Sequence, residues 1–363
     1  MAALTRAWDQ TPRQTARVVR LGSRKGKDMQ VRFVRSVVLV VAMGVAAAGC
    51  GKYSISNIRS AKAFQDANNL YKKNDYKGAA ARYEDSIQFN PDLGFAYFFL
   101  GNSYDNLYKP TKKGDAENDA YLTKAAGHYR TAIDKLATAT DPKELQIRRY
   151  SFEYLIAIYG SDKLNDFSKA EPIAKELVAV DPNDSTTYQM LAKLYEDQGR
   201  FDDAEAQLQK AIQVNPKEPT GYQILAAYYN RQGNFAKTME AWQKRAEMEP
   251  NNAEAWHTIG VYYQDNVMRN KTLPLKQAME YTAKGVEAEN KALAINPEYF
   301  EAMTYKNILL RQQALYEKSP ARQKELLTEA ETLLAKALEI RKKQNEGAAA
   351  AVPDPKAAKK AGS

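Results

Sequence analysis

Large apolar residues recur through the middle of the chain at offsets of three, four and seven. Tyr188, Leu191, Ala192 and Tyr195 return as Tyr222, Leu225, Ala226 and Tyr229, and again as Trp256, Ile259, Gly260 and Tyr263. Such offsets place side chains on one helical face, so each run predicts an amphipathic helix. Turns follow at Gly199-Arg200-Phe201 and Gly233-Asn234-Phe235. Glycine accepts the left-handed backbone that ends a helix. A second helix then runs to Asn215-Pro216, Glu249-Pro250 or Asn296-Pro297. Proline lacks a backbone donor and disfavours helix in the residue before it, so it is a stop signal. Pro182, Pro216 and Pro250 are spaced 34 apart, and the unit is a helix–turn–helix of that length.

The spacing and these residues resemble the W-x2-L-G-x2-Y…A-x3-F…P signature of the tetratricopeptide repeat. The resemblance covers about residues 59–343, with three central units matching most closely. An earlier unit ends at Pro91. Another begins Tyr97-Phe98-Phe99-Leu100-Gly101, and its second helix resumes near Ala125, Tyr129 and Ala132 after an extra dozen residues around Lys109 to Gly114. A further insertion falls around Asn266 to Leu275, and a degenerate last unit carries Met303, Leu310, Ala330, Leu334 and Ala337. The resemblance implies an all-α, right-handed superhelical solenoid of about seven helix pairs, some with insertions. One pair cannot bury its apolar face alone, and stacked pairs bury it against each other while offering an extended concave surface.

The family's concave surface is lined by the first helix of each pair. By resemblance, the inward positions of a partner groove fall at Phe98, Asn102, Gln189, Lys193, Gln223, His257 and Gln264. These mixed polar and aromatic residues suit an extended peptide or a partner helix. Relatives that clamp a C-terminal carboxylate use a Lys and Asn pair. Here Asn68 and Asn102 match the Asn, but Phe64 and Phe98 stand where the Lys would be, so that clamp is not expected.

The first fifty residues read as an address. Met29 to Arg35 is short and basic, Val37 to Ala47 is an unbroken apolar run, and Ala47-Ala48-Gly49-Cys50 follows. This is the charged, apolar and small-residue order of a secretory signal. The segment from Ser36 to Gly49 is too short for a membrane span of ~30 Å. Cys50, the only cysteine of the chain, looks like the lipid-attachment residue of a bacterial lipobox, although Ala47 replaces the usual Leu. A plain signal with a chance cysteine is the alternative. The expected layout is a leader or mis-assigned start at 1–28, a signal peptide at 29–49, a tether at 50–58, the solenoid at 59–343 and a disordered Ala/Pro/Lys tail at 344–363. The absence of Asp after Cys50 favours an outer-membrane location facing the periplasm.

Charge changes the picture less than it first suggests. The whole chain carries +9, which invites a nucleic-acid partner. Residues 1–49 hold nine Lys/Arg and two Asp/Glu, so the remainder is near neutral with interspersed charges, as on solvated helix faces. Most of the 23 tyrosines fall at repeat positions and read as packing. His128 and His257 are the only histidines, with no H-E-x-x-H and no G-x-S-x-G. No catalytic residue, cofactor or metal site is therefore expected.

The expectation is a lipid-anchored envelope scaffold or adaptor that binds protein partners. Two alternatives stand beside it: a dedicated assembly factor for an outer-membrane machine, such as a pilus, a secretion channel or the barrel-insertion complex, and an activator of a peptidoglycan enzyme.

Overall fold

The computed structural model describes residues 55–350, side chains of 347–350 excepted. The leader, the signal, Cys50, the first part of the tether and the end of the tail lie outside the described residues.

Among the described residues every regular element is helical. Up to Val180 these are α1 (Ile55–Lys72), α2 (Tyr76–Phe89), α3 (Gly94–Leu107), α4 (Ala116–Lys135), α5 (Pro142–Tyr159) and α6 (Phe167–Val180), with a 3₁₀ turn at Pro110–Lys112. From Asp181 onwards they are α7 (Ser185–Asp197), α8 (Phe201–Val214), α9 (Pro219–Arg231), α10 (Phe235–Met248), α11 (Ala253–Arg269), α12 (Leu275–Ile295), α13 (Phe300–Tyr316) and α14 (Pro320–Ala350). The chain divides at that point into two compact units, of three and four helix pairs respectively. Inside each unit every helix packs on its neighbours in sequence. The all-α fold of seven consecutive pairs expected from the periodicity is what the structure shows.

Local chemistry sets the corners. Gly199 and Gly233 both sit at φ +70° just past α7 and α9. Arg200 N–H donates to the Tyr195 carbonyl at 2.9 Å, and Asn234 N–H to the Tyr229 carbonyl at 2.9 Å. Gly199 N–H reaches the Glu196 carbonyl at 2.9 Å. Each corner therefore satisfies the orphan carbonyls of its own helix. Asn74 takes the same role after α1 at φ 62°, a conformation that Asn tolerates. Helix starts are capped by Asp75, Asp115, Asp141, Asp184, Asn234 and Asn252, whose side chains accept from backbone N–H groups of the first turn, as preferred N-caps do.

The insertions are mostly helix. The stretch after α3 holds only a 3₁₀ turn before α4 starts at Ala116, so α4 is 20 residues long rather than resuming near Ala125. The second insertion lengthens α11 to 17 residues and α12 to 21. Two boundaries also shift. α1 begins at Ile55, inside the expected tether, and α14 continues to Ala350, inside the expected tail. The stretch Ala348–Ala350 is a run of the best helix former, and it extends a helix already nucleated by docking.

The core of the first unit is aromatic: Tyr83, Phe99, Tyr129 and Phe152 are almost wholly buried with Leu122, Ile133 and Leu155. The second unit buries Leu191, Leu208, Leu225, Trp242, Ile259, Met303 and Leu309. At its far end Leu310, Ala314, Leu326 and Ala330 form a further cluster with Val286 and Leu333.

Candidate binding surface

The seven residues expected to line a groove fall into two sets, one in each unit.

In the first unit Phe98 and Asn102 are each only 3% exposed, which corrects their assignment to an open groove. The Phe98 ring lies 5.2 Å from Phe99, 5.8 Å from Tyr129 and 5.8 Å from Tyr154, centroid to centroid. These are ordinary packing geometries for core aromatics. Asn102 ties three helices together. It accepts from the Tyr71 hydroxyl of α1, its amide lies 3.4 Å from the Tyr129 hydroxyl of α4, and Asn106 donates to its side-chain oxygen at 3.0 Å. Asn68, one repeat earlier, accepts from the Tyr83 hydroxyl of α2 at 2.6 Å. The repeated Asn is thus a buried tie between the two helices of a pair. Phe64 packs 5.4 Å from Tyr83 and 5.6 Å from Phe99, so the Phe positions are core as well.

What this unit leaves nearer solvent was not legible in the sequence. Asn106 is exposed, and Tyr71 and Asp105 are partly so. Lys163, in the connection after α5, pairs with Asp105 of α3. Burial, with Asp105 adding to it, pushes the Tyr154 hydroxyl up to about 12.

In the second unit the expected residues are better placed. Gln189 of α7, Gln223 of α9 and Gln264 of α11 are half-buried, and Lys193 is exposed. Lys193 already pairs with Asp197, one turn on, so its charge is partly spent within α7. Arg231 of α9 grips Glu196 of α7 through two bonds of 2.6 and 2.9 Å, a fork geometry that fixes the spacing of these first helices. Gln189, Gln223 and His257 are 34 residues apart in turn, and so occupy one repeat position on α7, α9 and α11.

His257 is not an open groove residue either: its side chain is 11% exposed. Nδ1 lies 3.0 Å from both carboxyl oxygens of Glu289 on α12. Glu289 is fully buried, and no sequence pattern singled it out. Burial pushes its carboxyl up to about 10 and the imidazole of His257 down to about 4. Desolvation disfavours the charged form of each group, raising an acid and lowering a base.

Among the described residues no three His, Cys, Asp or Glu side chains come together as metal ligands would, and no helix is long and apolar enough to cross a membrane.

Residues 163–228 match the tetratricopeptide repeat family. No curated protein sequence matches the chain. Among solved structures, the chain is similar to a crystal structure of MamA at 24% identity, over 50% of this chain and 92% of that one, with a TM-score of 0.35. A second is YrrB, described as a TPR protein with an unusual peptide-binding site, at 18% identity over 54% and 89% with a TM-score of 0.35. A third is the C-terminal part of a TPR repeat-containing protein from Cytophaga hutchinsonii, at 18% identity over 76% and 98% with a TM-score of 0.46.

Proposed function

We propose that the chain is a lipid-anchored scaffold of the cell envelope that holds extended segments of partner proteins along the first helices of its second unit. One observation carries this reading: a single repeat position, filled by Gln189, Gln223 and His257, recurs on three successive first helices, half-buried at the two glutamines and with a small edge of the His257 side chain left uncovered. Side chains at a fixed repeat can meet the main-chain groups of a bound segment in register, as in other extended-peptide recognition. The match of residues 163–228 to a repeat family supports a binding role, and the chemistry at hand offers hydrogen bonds rather than a reacting centre.

The anchor is Cys50. The apolar run before it and the small residues beside it support signal cleavage and thiol acylation, and two or more acyl chains hold a protein stably on a bilayer. The location is the outer membrane, facing the periplasm. Whole-cell crosslinking with mass spectrometry of the adducts tests the scaffold reading. Envelope proteins should be captured by the native chain and lost on combined Gln189→Ala, Lys193→Ala and Gln223→Ala. Undiminished capture by that triple variant sinks the assignment. Palmitate labelling that survives Cys50→Ser sinks the anchor.

A further inference from the structure

On α11 the His257 ring is held from three sides. Glu289 meets Nδ1 from α12. From α13 and the residue before it, Tyr305 and Tyr299 stand edge-on with ring centroids at 5.1 and 5.0 Å. Glu289 makes no other hydrogen bond or ion pair among the described residues. Gly260, one turn beyond His257, leaves the room that the carboxyl occupies. Among the described residues Nε2 meets no partner, and it is not sealed from solvent by them.

Proton counting fixes what Nε2 offers. Glu289 is fully buried and meets only His257 among the described residues. Burial without a second partner keeps its carboxyl protonated, in line with its upward shift, and one proton lies between the pair at neutral pH. If the carboxyl keeps it, its O–H donates to Nδ1, and the neutral ring carries its own hydrogen on Nε2. If the proton crosses to Nδ1, the ring is cationic and both nitrogens carry hydrogen. Either arrangement presents an N–H at Nε2. A free histidine would instead sample both tautomers, because a ring nitrogen's state is set by the bond the other nitrogen makes.

We propose that His257, positioned by Glu289, is a fixed donor that reads a main-chain carbonyl of an extended peptide bound to the second unit. This rests on the peptide-holding function above and names one of its contacts. The surroundings select a neutral acceptor over an anion. Glu254 and Glu301 act on Tyr299, while Asp265 and Arg269, both felt by Tyr305, pair at 2.6 Å and largely cancel. A carboxylate or phosphate would enter a negative field. The half-buried amides of Gln189, Gln223 and Gln264 suit the alternating donors and acceptors of a peptide.

The test uses the chain carrying Cys50→Ser, to keep it in solution. Histidine 15N NMR should place hydrogen on Nε2 of His257 from pH 5 to 8, and Glu289→Gln should keep it there, because the carboxamide can donate to Nδ1. Twelve-residue peptides selected from a random phage library and then synthesised serve as the binding probe. His257→Phe keeps the ring and removes the donor, and should weaken them about three- to tenfold, with Glu289→Gln within about twofold of the native chain. Amide-to-ester replacement along the peptide should find one carbonyl whose weakening matters to the native chain and not to His257→Phe. An Nε2 without hydrogen, or equal binding by native and His257→Phe proteins, overturns the donor alone. Failure to select any peptide removes the peptide-holding function together with it.

Discussion

A Cβ built on Gly260 of α11 would collide with Oε1 of Glu289 on α12. The absent side chain and the buried carboxyl are two halves of one fit. Gly260→Ala should therefore lower stability by about 1–3 kcal/mol through overpacking, although an Ala in a helix interior ordinarily gains about 1 kcal/mol over Gly. Urea unfolding measures it. In the double variant with Glu289→Ala most of that loss should return, and a cycle with no coupling between the two sites would contradict the fit.

The same pair makes stability depend on pH in a definite direction. Glu289 is raised to about 10, so its contribution is full below the ordinary carboxyl range near ~4.3 and is lost as pH climbs through about 10. His257 is lowered to about 4, so its contribution is present above ~6.5 and lost as pH falls through about 4. Between pH ~4.5 and ~6.5 folded and unfolded chains each hold one of these protons, and the two effects offset. Above ~6.5 the folded chain holds one proton more, and stability falls by up to about 1.4 kcal/mol per pH unit. Tyr299 and Tyr305, raised by burial, stay neutral across that window. Urea midpoints from pH 5 to 9 should show the decline in the native chain and a flatter curve in Glu289→Gln. Equal slopes for the two proteins would refute the shared proton.

Corner glycines should be costly to replace. Gly199 and Gly233 hold φ +70° with open space around the missing Cβ, so the penalty of a side chain there is conformational and not steric crowding. Gly199→Ala should cost about 1–2 kcal/mol, whereas Asn74→Gly, at a left-handed position that glycine adopts freely, should cost less than that. Thermal melts of the two variants give the comparison.

Phe98 and Asn102 should behave as core. Phe98→Ala should cost about 3–5 kcal/mol. Asn102→Leu should cost about 1–3 kcal/mol by stranding the hydroxyls of Tyr71 and Tyr129. Circular-dichroism unfolding of each variant checks this. A variant that melts like the native chain yet loses a partner would return these residues to a binding role.

These outcomes follow where sequence and structure part. The helix pairs, the left-handed glycines and the proline stops were legible because each is a local consequence of backbone chemistry. The groove of the first unit was not. The resemblance implies an inward position for Phe98 and Asn102 on a first helix, but spacing along one helix does not reveal what closes over it. Tyr129 from the lengthened α4 and Tyr154 from α5 do so. Glu289 was invisible for the opposite reason, since a lone Glu in a second helix reads as a solvated charge. A faint signal existed in Gly260 standing where the neighbouring repeats have Ala192 and Ala226, three residues from a histidine on the same face.

The corners after α7 and α9 close with bonds drawn from their own helices, 34 residues apart. A stretch from one corner to the next can therefore be duplicated or lost without leaving a severed joint. Within the second unit the length of surface offered is thus set by the number of such stretches, each closed by its own corner and tied to the next by bonds such as Arg231 to Glu196.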